Sequence, residues 1–135
     1  MAAAKTPSFL QPLLKEPGLS HRLENTRNGQ TVAFTLLTAF DSASRRTGLL
    51  RHDSLPEGSA LIIAPSNAVH TIRMRFAIDI AFVARDGRIV KVYAALPPWR
   101  MAAALRAFAV VELPAGALAA ADTLVGDRFT VVQAE

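Results

Sequence analysis

The sequence predicts a mainly β fold, a compact antiparallel β-sandwich or partly closed barrel carrying one to three short helices. Three observations lead there. Short apolar runs recur between clusters of Gly, Pro, Asn and Asp, the pattern of strands separated by turns. Two of those clusters contain Asn28-Gly29 and Asp86-Gly87, strong hairpin signals because Asn, Asp and Gly tolerate the positive φ of a primed turn. Finally, no segment keeps a helical period long enough for the crossover helices of an alternating β-α-β chain, and only residues 101–108 or 115–121 come close.

Residues 1–20, interrupted by Pro7, Pro12, Pro17 and Gly18, hold no period and read as a loosely ordered leader, so a single domain is expected over 21–135. The first hairpin joins 21–24 to 31–37 through the turn at 25–30. Asp41 is placed to cap a short helix over 42–47, which Gly48 stops. Leu55-Pro56-Glu57-Gly58 is a turn, and 59–64 reads as a buried strand centred on Leu61-Ile62-Ile63. The second hairpin joins 78–84 to 89–93 across Arg85-Asp86-Gly87-Arg88. Pro97-Pro98 removes two ladder donors, which bars 96–100 from a central strand. Strands over 108–113 and 129–132 follow, separated by Pro114-Ala115-Gly116, an alanine-rich turn of helix and Gly126-Asp127.

With 135 residues, of which 51% are hydrophobic and 19% charged, the chain suits one hydrophobic core. Cysteine is absent, which excludes disulfides, thiol nucleophiles, iron–sulfur clusters and thiolate zinc sites. His21, His52 and His70 are widely separated, and no metal or cofactor is expected. The net charge of +4 comes mostly from arginine, whose planar guanidinium suits carboxylates and phosphates. These arginines are dispersed and not interleaved with aromatics, so nucleic acid is not an expected partner. No window reaches the roughly 18 apolar residues of a membrane span and no secretory signal is evident, so a cytoplasmic protein without a membrane partner is expected.

The stretch 69–82 sets His70, Arg73, Arg75 and Asp79 in an otherwise apolar run. Strand alternation places His70, Ile72, Met74, Phe76, Ile78 and Ile80 on one face and Thr71, Arg73, Arg75, Ala77 and Asp79 on the other, with a bend expected near Phe76-Ala77. On that second face Arg73 and Arg75 grip one carboxylate or phosphate, while Asp79 orients or neutralises one of them. His70 is either a hydrogen-bonded core histidine or a ligand contact. Trp99, between Pro98 and Arg100, either stacks on a ligand or pins its loop to the core. Glu112 lies inside the apolar run Val110-Val111-Glu112-Leu113, and an arginine partner is expected for it. Asp127 reads as a turn residue opening the last strand.

An ordered set of short motifs runs through the domain: Arg45-x-x-Gly48-Leu49-Leu50, Leu55-Pro56, Val69-His70-Thr71, Met74-Arg75-Phe76, Ile78-Asp79, Asp86-Gly87, Pro98-Trp99-Arg100, Glu112-Leu113-Pro114-Ala115-Gly116 and Gly126-Asp127. In this order the chain resembles domain-of-unknown-function family 192 from about residue 21 to the C-terminus. The resemblance implies a compact, mainly β domain of the double-sheet type, with no established activity, cofactor or catalytic residues. Ile72, Ala77 and His52 stand where the family pattern usually has an aromatic, a proline and an arginine, with Arg51 beside the last.

The first functional expectation is a non-catalytic module whose face, built from Arg45, His70, Arg73, Arg75, Asp79, Trp99, Arg100 and Glu112, receives an anionic small molecule or an acidic segment of a partner. The second is a hydrolase or lyase on an anionic substrate, with His70 or Asp79 as general base and Arg75 stabilising developing charge. The third is a structural module whose strand edges mediate homo-oligomer contacts.

Overall fold

The computed structural model describes residues 8–50 and 52–134. Its centre is a five-stranded sheet in the order β3 (Thr35–Ala39), β4 (Ser59–Ile63), β9 (Ala109–Pro114), β6 (Ile78–Val83) and β7 (Ile89–Leu96). A three-stranded sheet, β10 (Phe129–Gln133), β1 (His21–Asn25) and β2 (Thr31–Ala33), packs on one face. The other face carries a two-stranded ribbon of β5 (Ala68–His70) and β8 (Met101–Ala103). Among the described residues there are three short helices: α1 (Gln11–Lys15), α2 (Ser42–Thr47) and α3 (Ala117–Ala120). The fold is mainly β, as the turn pattern requires, and no sheet closes into a barrel.

Period-two alternation in β4, β6 and β9 divides the interior into two cores. Ala60, Ile62, Ala81, Val83, Val111 and Leu113 face Leu23, Val32, Phe129 and Val131 of the three-stranded sheet. Leu61, Ile63, Ile78, Ile80, Phe82 and Val110 face the opposite way, toward Leu49, Leu55, Met74 and Ala102. All five residues of β4 and all six of β6 are buried, as strands covered on both faces require, and Ser59 and Asp79 are the polar residues in them. Each large aliphatic side chain so placed contributes about 1.5–3 kcal/mol.

Both hairpins form where the Asn-Gly and Asp-Gly signals put them, but the segment 31–37 of the first divides: β2 pairs with β1, and from Thr35 the chain passes into the five-stranded sheet as β3. The Asp41 side chain caps α2 by accepting the Ser44 N–H at 2.7 Å, and that hydrogen bond holds its carboxyl below the ordinary value. The helix ends at Gly48, whose φ of 46° is left-handed.

The structure departs from expectation in three places. Residues 8–20 are not a loose leader: α1 docks with Leu10 and Leu13 in the first core, and the Phe9 N–H donates to the Arg85 carbonyl at 2.9 Å. Residues 1–7 of that leader lie outside the described residues. The β3–β4 pair is parallel, bridged by a crossover containing α2, so the chain is not purely antiparallel. Lastly, 69–82 is not one bent strand. β5 ends at His70, the chain turns through 71–77 with Arg73 at φ 67°, and β6 starts at Ile78.

Candidate functional site

The site is built from Glu112 outward. β9 is the middle strand of the five-stranded sheet, and Glu112 is registered between Leu61 of β4 and Ile80 of β6. Alternation turns its side chain to the face that carries Ile63 and Met74. It is only 5% exposed, and its Oε2 has no hydrogen-bond partner. Burial alone pushes its carboxyl up to about 7, because flanking Leu and Ile offer nothing to the charged form. The expected arginine partner is therefore absent among the described residues.

Above Glu112 opens a cleft of about 570 Å³. One wall is α2 and the turn after it, with Arg45, Arg46, Thr47, Leu49 and Leu50. The other is the strand exit at Pro65-Ser66 and β5, with Val69 and His70, and Met74 also lines the cleft. Arg45 sits half-buried, its Nη1 donating to the Phe40 carbonyl at 3.3 Å and its Nη2 to Ser42 Oγ at 3.4 Å. Neither Arg45 nor Arg46 has a carboxylate within ion-pair distance among the described residues. Arg45 and Arg46 thus line the same cleft as Glu112, whose Oε2 is unpartnered. Such a site can clamp an anion at one end and exchange a hydrogen bond or a proton at the other.

Of the eight residues the sequence singles out, the cleft brings together Arg45, His70 and Glu112. His70 is exposed on β5, which excludes the core-histidine reading. Asp79 goes elsewhere. It is buried on the opposite face of the sheet, where Oδ1 accepts the Ala95 N–H at 2.8 Å and Oδ2 the Leu118 N–H at 3.0 Å. It neither orients nor neutralises an arginine, because two backbone donors occupy it. Arg75 pairs instead with Asp53 on the surface, and Arg73 is exposed in the turn. Hence His70, Asp79 and Arg75 do not converge on one pocket.

Trp99 and Arg100 are likewise outside the cleft lining. Their backbone is held by Thr71: its carbonyl accepts the Trp99 N–H at 2.9 Å, its Oγ1 accepts the Arg100 N–H at 2.9 Å, and its hydroxyl donates to Pro97 O at 2.7 Å. The Pro98-Trp99-Arg100 motif is pinned by a buried threonine. Asp127 is a turn residue as expected, and more. It accepts from Asn25 Nδ2 at 2.8 Å, Arg27 Nε at 2.7 Å and Leu124 N–H at 2.9 Å, and these donors, Arg27 foremost, lower its carboxyl to about 2.

Arg46, Thr47 and Ser66 were not in the sequence-derived set, although Arg45-Arg46 is one of the tightest basic pairs in the chain. Among the described residues no group of three or more His, Asp or Glu is arranged to hold a metal ion. No helix among them is long and apolar enough to cross a membrane.

Residues 23–131 match the model of the DUF192 family, described as uncharacterized ACR, and the chain belongs to that family. A crystal structure of a "putative transcription regulator" from Sinorhizobium meliloti 1021 is similar in fold, with a TM-score of 0.73 and 21% identity over 84% of this chain and 92% of that one. A protein of unknown function from Novosphingobium aromaticivorans DSM 12444 gives a TM-score of 0.68 and 23% identity over 82% of each chain. No curated protein matches the chain.

Proposed function

We propose that this DUF192 domain is a binding module that receives a small anionic molecule in the cleft between α2 and β5. The observation that carries this reading is the unpartnered Glu112 carboxyl at the floor of a cleft that Arg45 and Arg46 also line. A buried polar atom without a partner costs about 1–3 kcal/mol, and a ligand that fills the cleft supplies the missing partner. The volume of about 570 Å³ falls in the range of small-molecule sites, which favours a small molecule over an acidic protein segment.

Calorimetric titration with phosphate and short carboxylates at low ionic strength tests the proposal. Binding is expected, weakened at least about tenfold by Arg45→Ala combined with Arg46→Ala and unchanged by Arg75→Ala. No binding to the unsubstituted protein, or an equal loss from Arg75→Ala, overturns it.

A second reading, acid–base catalysis in the same cleft, is favoured by one observation. The Glu112 carboxyl, pushed up to about 7, suits proton transfer near neutrality. It replaces His70, Asp79 and Arg75 as the catalytic set, with Glu112 the group that moves the proton. A turnover assay on any anion that binds, repeated with Glu112→Gln, separates the two readings. Turnover lost with binding retained supports catalysis.

A further inference from the structure

We propose, on the reading that an anion enters this cleft, that its ligand is a hydroxylated anion: an acidic group held at Arg45 and Arg46, and a hydroxyl meeting Glu112. The two ends of the cleft make different demands. At one wall, Arg45 and Arg46, with no carboxylate partner among the described residues, call for a carboxylate or phosphate. At the floor, Glu112 lines the cleft, and its Oε2 has no hydrogen-bond partner among the described residues. A simple anion satisfies the wall and leaves the floor as it was.

The floor asks for a group that both gives and accepts a hydrogen bond. A protonated carboxyl offers one O–H donor and one carbonyl acceptor, and a hydroxyl complements both. Burial keeps this carboxyl substantially protonated near neutrality, consistent with a neutral partner. An ammonium would require the ionised form, and would enter a cleft that already holds two guanidiniums. Ser66 adds a further polar point on the wall. Its hydroxyl donates to Ala68 O at 3.0 Å and leaves its oxygen free to accept.

Matched ligands isolate the hydroxyl. 3-Hydroxybutyrate against butyrate tests the carboxylate class, glycerol 3-phosphate against propyl phosphate the phosphate class, and 3-aminobutyrate the ammonium alternative. In at least one class the hydroxylated member is expected to bind about tenfold more tightly than its deoxy counterpart. Glu112→Gln, which keeps a donor and an acceptor, retains that preference, and Glu112→Leu erases it. Equal affinity within both pairs, or tighter binding of 3-aminobutyrate, overturns the hydroxyl assignment while the anion site stands. Absence of binding by every member overturns the anion site as well, and the assignment with it.

Discussion

Asp79 and Glu112 are carboxylates on adjacent strands of one sheet, and a single step of register separates their fates. Asp79 lies opposite Leu113 and Glu112 opposite Ile80, so the pleat sends them to opposite faces. Asp79 finds the N–H groups of Ala95 and Leu118, whereas Glu112 finds apolar side chains and open cleft. The first is structural. Asp79→Ala leaves two donors unpaired and is expected to cost about 3 kcal/mol, read as a lower midpoint in urea unfolding at unchanged slope. The sequence reveals that both residues interrupt apolar runs, and so flags both. It does not reveal their partners, because the donors for Asp79 come from residues 95 and 118, and no local pattern announces such contacts.

At the scale of elements, what was legible is what local chemistry decides. Asn28-Gly29 and Asp86-Gly87 make their turns, and Asp41 and Gly48 bound α2, because each feature is settled within a few residues. The segment 69–82 departs from its pattern for the complementary reason. Its alternation is clean, yet Thr71 is committed to the 97–100 loop and Arg73 takes a left-handed φ, so the chain turns where a strand pattern would run on. The β3–β4 crossover was equally hidden, since strand order depends on contacts across the sheet. α1 is short, and its place in the fold comes from tertiary burial rather than from helical propensity. Leu10→Ala is accordingly expected to destabilise the whole domain by about 3 kcal/mol in equilibrium unfolding, while a mere leader would show no change.

For the molecule as a whole, two carboxyls set opposing limbs of the pH–stability curve. Folding raises Glu112 from 4.5 to about 7, so the native state binds the extra proton. That group's contribution is complete below about 4.5 and is lost as pH rises through 7, a loss of about 3 kcal/mol. Asp127 has the opposite sign. It is lowered from 3.8 to about 2, so its contribution is present above 3.8 and disappears as pH falls toward 2. Together they place maximum stability near pH 4–5, and Glu112→Gln is expected to flatten the alkaline limb while leaving the acid limb in place. Thermal or urea unfolding across pH 2–8 reads both effects.

The anion site requires a Glu112 that is buried and yet lines the cleft, and carbon-detected NMR of its side-chain carboxyl checks both. A titration midpoint near 7 that shifts when a hydroxylated anion is added is the predicted result. A midpoint in the ordinary carboxylate range, unmoved by any ligand, would contradict it.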